Sequence, residues 1–151
     1  MRPDFRLIAI TGQDERLAPL NAEADGDGYR FVARLVDDWA SGSNRFDQPG
    51  ERLIAAVREG LLLGVCGLNH DPYTRQSGVG RLRHLYVCRS GRRSGIASAL
   101  VRQLLEEARG IFTIVRLRTT PEAALFYDRL GFGRTEQENA SHIWDLRTER
   151  P

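Results

Sequence analysis

The sequence predicts a mixed α/β fold, and three observations carry that prediction. Two apolar runs of strand length flank Arg58-Glu59-Gly60, a hairpin signal. The apolar run at 79–87 passes through a short glycine-containing turn into a helical stripe and then into another alternating run, the order of a β-α-β crossover. A last helix begins on Pro121 and closes on Gly131. At 151 residues the chain is one domain by size, 1–151, with room for one sizeable core.

In chain order, residues 5–10 read as a first strand ended by Thr11-Gly12. A short helical turn over 15–23 is weakly patterned, and Asp25-Gly26-Asp27-Gly28 marks a loop. Residues 29–41 read as a helix because Phe31, Leu35, Val36 and Trp39 share one face and Gly42 follows. The hairpin strands are 53–57 and 61–68, and 69–78 is a polar loop before the central strand at 79–87. Beyond the turn, Ser94 is the expected N-cap, and Ile96, Leu100, Val101, Leu104, Leu105 and Ala108 form one buried stripe that Gly110 stops. Residues 112–118 alternate as a strand, and Gly133-Arg134 and 142–146 supply the final ones. Trp39 and Trp144 read as core.

The chemistry concentrates in the turn Cys88-Arg89-Ser90-Gly91-Arg92-Arg93-Ser94-Gly95. The first N–H groups of a helix have no intrahelical acceptor, so they can point at an anion, and the helix dipole adds its positive end. Arg89, Arg92 and Arg93 add whole charges, which makes this a holder for phosphate. Gly95 and Ala97 carry almost no side chain, so a bulky ligand can approach the backbone there. Leu85, Tyr86 and Val87 end a strand beside the turn, where their backbone groups can pair with amides of a ligand. An arginine-rich surface turn is the alternative, since all 22 basic residues are arginine.

Several classes fall away. Without lysine there is no Walker A loop and no Schiff base, and neither G-x-G-x-x-G nor G-x-S-x-G occurs. Cys66, His70, His84 and Cys88 pair at i, i+4, but on strands that spacing separates them by roughly 13 Å, too far to share a metal. The cysteines read as small buried hydrophobes, not a disulfide. A net charge of +2 suggests no general nucleic-acid or membrane surface. Met1-Arg2-Pro3-Asp4 opens no apolar signal core, and no run approaches a membrane span, so a cytoplasmic location is expected.

Arg92-Arg93-Ser94-Gly95-Ile96-Ala97 resembles the R/Q-x-x-G-x-G/A acyl-coenzyme A motif of the GNAT N-acetyltransferase superfamily, preceded as there by a Leu-Tyr-Val strand. Residues 121–132 resemble that family's last helix, with its A-x-x-F-Y-x-x-x-G-F ending. The likeness covers roughly residues 50–146, while the first 50 match only in layout. It implies a GNAT-like fold, a central twisted mixed sheet flanked by helices that splays near the turn, so that a pantetheine arm lies between two strands. It also implies acetyl-coenzyme A as co-substrate, no metal, and direct acetyl transfer to a primary amine of a small molecule, peptide or protein. A homodimer is compatible with it.

By the same resemblance the coenzyme site comprises Leu85, Tyr86, Val87, Arg92, Arg93, Ser94, Gly95, Ile96, Ala97, Ala124 and Tyr127. Tyr127 takes the position that faces the coenzyme sulfur, as acid for the departing thiolate or as a core tyrosine. Many relatives place a glutamate base where this chain has Arg81, and an arginine cannot serve. His84 shares a face with Tyr86 on an undistorted strand and is the base candidate, beside a hydrogen-bonded structural role or a base acting through water. A strand bulge would break that parity. Arg81 and Arg83 are either solvent-facing charges or ligands for an acidic group on the acceptor. Asp37, Asp38, Trp39 and residues 44–46 lie where the family builds its acceptor pocket, while the two aspartates also read as a solvated helix end. The missing glutamate leaves a non-catalytic acyl-coenzyme A sensor as the other reading.

Overall fold

Strand and helix alternate as the patterning requires. In the computed structural model, which describes residues 4–148, the order is β1 (Arg6–Ala9), α1 (Leu17–Gly26), α2 (Phe31–Ser41), β2 (Arg52–Arg58), β3 (Leu61–His70), β4 (Val79–Val87), α3 (Ile96–Ala108), β5 (Ile114–Leu117), α4 (Pro121–Leu130), β6 (Gly133–Arg134) and β7 (His142–Asp145). All seven strands join one sheet in the order β1-β2-β3-β4-β5-β7-β6. Among the described strands only β4 and β5 run parallel, and α3 is their crossover.

The β2–β3 hairpin turns on Glu59 and Gly60, both at positive φ (52° and 79°), the conformation that matches strand twist in a two-residue loop. Asn69 and His70 extend β3 past the expected boundary because they pair with Arg81 and Gly80. The weak pattern at 15–23 becomes a ten-residue helix. It is held by burial of Leu17, Leu20 and Ala24 on one face, a tertiary gain that outweighs poor local amphipathy.

Positions 64 and 67 define the two sides of the sheet. A Cβ on Gly64 would meet Ile96 of α3, whereas one on Gly67 would overlap the Phe46 ring. Odd spacing along a strand puts these on opposite faces. The predicted stripe of α3, from Ile96 to Ala108, is buried on the first face.

The pairing that matters most is the one that stops. β4 and β5 are in register at Val79↔Ile114, Gly80↔Val115 and Arg81↔Arg116. Beyond Arg81, β4 continues to Val87 with β3 on one side only. The strands part there, as the resemblance implied.

Candidate functional site

β4 runs into a single 3₁₀ turn over Arg89–Gly91, and α3 opens at Ile96. Between them Arg93 (φ 66°) and Gly95 (φ 84°) are left-handed. Gly95, not Ser94, is the N-cap residue. The Ser94 hydroxyl turns back and donates to the Gly91 carbonyl, because it sits one residue too early to reach the first-turn amides. The helix has no side-chain cap, and its entering bond is Ala99 N–H to the Gly95 carbonyl at 3.0 Å. The amides of Ile96, Ala97 and Ser98 therefore precede every intrahelical acceptor and suit an anion. A Cβ on Gly95 would enter open space, while Gly91 is packed against Ile96, Val87 and Cys88.

The three arginines are not equivalent. Arg89 pairs with Asp27 at 2.5 Å, Arg92 reaches Asp27 at 3.5 Å, and the Arg89 amide donates to Glu23 at 3.0 Å. Arg89 holds the Asp27 carboxyl below its usual range. Arg93 alone of the three has no carboxylate partner among the described residues. Glu23 and Asp27 lie one turn apart on and just after α1, and sequence reasoning missed them; their i, i+4 acidic spacing was the available signal. Tyr86 donates its hydroxyl to Glu23 (2.7 Å) and Asp27 (3.2 Å), and Arg92 Nε takes the Val87 carbonyl at 3.1 Å. Burial, then Glu23, raises the Tyr86 hydroxyl. Ile96 is buried, so it can offer a ligand only backbone. Leu85 is half-buried.

On α4, Tyr127 is buried between Phe126, Phe132 and His142, with ring centroids at 4.9, 5.6 and 5.8 Å. No described residue hydrogen-bonds its hydroxyl, and burial pushes that hydroxyl up from the usual phenol range. His142 pairs with Leu117, one residue beyond Arg116 and so on the other side of the sheet from it, which sets the Tyr127 ring packed on His142 on the α3 face. His142 is fixed between Ser141 and Asp128, both at 2.9 Å. Arg134, then His142, hold Asp128 at about 2. Ala124, one turn before Tyr127, lines a cavity of about 540 Å³ with Thr120, Pro121, Arg134 and His142. That cavity includes no residue of the turn at 88–95.

A bulge does interrupt β4. Val65↔Tyr86 and Gly67↔Arg83 bracket one extra residue in β4, and His84 has φ 62°. The ring of His84 meets Phe46 edge-on at 6.1 Å, so His84 lies on the face opposite α3. Arg83 and Tyr86 share that face through their partners Gly67 and Val65. The expected sharing of a face by His84 and Tyr86 holds because the extra residue falls before His84. His84 Nε2 is buried without a partner, and burial, then Arg83, lower the imidazole to about 4.

A neutral buried histidine makes stability depend on pH. The unfolded imidazole titrates near 6.5 and the folded one near 4, so the unfolded state takes up the proton first as pH falls. The contribution is complete above about pH 6.5 and lost progressively down to about pH 4, by an order of 3 kcal/mol. His84→Gln should flatten that limb of a denaturation-versus-pH profile; an unchanged slope would show the ring to be solvated.

Arg81 and Arg116 are buried, which corrects the solvent-facing expectation for Arg81. Both bind Asp71, a residue read only as loop. Burial lowers the Arg81 guanidinium from its usual range while Asp71 opposes it. Asn44 Nδ2 and Asn69 Oδ1 are further buried atoms without partners. Cys66 and Cys88 are free, and burial pushes the Cys66 thiol up to about 12, unsuited to nucleophilic work. Among the described residues no His/Cys/Asp/Glu group could hold a metal, and no helix is long and apolar enough to cross a membrane.

Similarity to known proteins agrees with this geometry. A protein from Exiguobacterium sp. 255-15 assigned as an acetyltransferase superposes with a TM-score of 0.83, at 26% identity over 95% of each chain. A GNAT-family acetyltransferase from Staphylococcus aureus Mu50 gives 0.73, at 16% identity over 94% of this chain and 99% of that one, a likeness of fold. A Trypanosoma brucei acetyltransferase gives 0.67, at 21% identity over 89% and 96%. Among curated protein sequences no relative matches. The sequence profile of the acetyltransferase (GNAT) domain matches residues 49–134, more than half of the chain and the span from the hairpin through β6. With that match over strands that part beside an uncapped helix, the chain belongs to the GNAT acetyltransferase family.

Proposed function

We propose that residues 1–151 act as one N-acetyltransferase domain that moves an acetyl group from acetyl-coenzyme A directly to a primary amine. The observation that carries this reading is the free edge of β4 past Arg81, with an uncapped helix start at one end and the buried Tyr127 ring packed on His142 of β7, the strand that pairs with β5. The open space at Gly95 and the small Ala97 fit a bulky phosphate ligand. The amides of Ile96, Ala97 and Ser98 and the Arg93 side chain would hold its phosphates, and the β4 edge would pair with its amides. Acetyl-coenzyme A supplies a thioester whose carbonyl carbon bonds to the amine nitrogen as the carbon–sulfur bond breaks.

Tyr127 keeps its proton through neutral pH and can donate it to the departing sulfur. His84, neutral at pH 7 with Nε2 free of partners, is the candidate acceptor for the proton that the amine loses, a weak base because the burial that lowers it to about 4 opposes its charged form. The two groups lie on opposite faces of the sheet, so the β4–β5 opening is the place where one reaction can use both.

The burial of Arg81 at the position where, by the family resemblance, many members place a glutamate favours a second reading, an acyl-coenzyme A sensor without turnover. Thiol release from acetyl-coenzyme A against a panel of amines decides between them. Amine-dependent release is expected; tight coenzyme binding in calorimetry with no release for any amine would establish the sensor.

A further inference from the structure

Arg81 and Arg116 form the last registered pair before β4 and β5 part, on the face opposite α3 that also carries His84. Asp71 Oδ2 accepts from Arg116 Nε at 2.9 Å and Arg81 Nη1 at 3.3 Å, and Asp71 Oδ1 is taken by the Tyr73 amide at 2.8 Å. The Arg81 and Arg116 side chains are 8% and 9% exposed and that of Asp71 is 0% exposed. Two guanidinium groups against one carboxylate leave a positive charge in a poorly solvated place, and Arg83 adds a like charge nearby. Such a charge is costly unless an anion completes it.

The unpaired atoms state what would complete it. Arg116 Nη2 is a buried donor with no acceptor, and Nη1 has only the neutral Gln137 Oε1 at 3.2 Å. Asn69, directly across the strand pair from Arg81, leaves Oδ1 as a buried acceptor with no donor. Surplus cationic donors on β4 and β5, in register with an orphan acceptor on β3, are the complement of a molecule that carries a carboxylate and an amine.

The lid over the cluster is light. The Tyr73 ring lies over Arg81 at 4.6 Å and Gln137 lies over Arg116, both on connecting loops and both exposed on their outer side. Exchange of the Gln137 amide oxygen for an ionised one would roughly double the strength of that hydrogen bond.

We propose that the acceptor is an amino acid or a closely similar amine bearing a carboxylate, and that Arg81 and Arg116 bind the carboxylate while Asn69 receives the amine. This rests on the transfer reading above.

Free amino acids and their carboxamides, compared at equal concentrations of unprotonated amine, test it. The carboxylate form should have the higher kcat/KM by at least about tenfold, the factor that 1.4 kcal/mol represents. Arg116→Gln should bring that ratio close to one, and Arg116→Lys should restore part of it. Calorimetry on the coenzyme A-saturated protein provides a readout free of catalysis, in which the amino acid binds at least tenfold more tightly than its amide. An amide equal to or better than its acid in wild-type protein, in either assay, overturns the subsite, and so does a ratio that Arg116→Gln leaves unmoved. If thiol release depends on no amine, the transfer reading fails by itself: selective amino-acid binding in calorimetry then still supports the subsite, and its absence removes it.

Discussion

Tyr127→Phe should leave coenzyme A affinity and melting temperature nearly unchanged while kcat falls by roughly 10²- to 10⁴-fold, the range for loss of a general acid. The ring contacts to Phe126, Phe132 and His142 survive the change. The hydroxyl they surround bonds no described residue, so its removal leaves no partner unsatisfied. Steady-state kinetics with any accepted amine checks this, and an equal fall in kcat and kcat/KM would place the lost interaction in the transition state. Turnover within a few-fold of wild type would reduce Tyr127 to a packing residue.

The second large effect is expected at Gly95. Gly95→Val should weaken acyl-coenzyme A binding by at least about 100-fold, near 2.7 kcal/mol. Its added carbons enter the open space beside the uncapped amides of α3, where phosphate oxygens would have to approach. The residue is left-handed at φ 84°, so a β-branched side chain also strains the turn, by about 1–2 kcal/mol. Calorimetry reports the first effect and thermal denaturation the second. A folded variant that binds normally would place the phosphates elsewhere.

Much of this molecule is local and therefore readable from its residues. The α3 stripe from Ile96 to Ala108, the Pro121 start and Gly131 stop of α4, and the Glu59-Gly60 turn each follow from interactions within a few positions. The free amides at the start of α3 were readable for the same reason, because a helix start lacks acceptors whatever surrounds it. The details of the turn were not. Ser94 and Gly95 exchanged the capping role once the turn closed, and Arg89 and Arg92 were drawn to Glu23 and Asp27, more than 60 residues earlier. Individual charges carry no record of which opposite charge the fold will bring near.

Local residue patterns were enough to read the succession of strands and helices, the glycine-containing turn between β4 and α3, and the family to which both motifs point. Tertiary structure alone decided where β4 and β5 part, which face His84 takes after the bulge, and that Asp71, Arg81 and Arg116 share one buried cluster. Periodicity and capping act over one or two turns of chain. Strand register, bulges and buried ion pairs are instead set by segments that meet only after folding, and Asp71 and Arg116 stand 45 residues apart until the sheet joins them.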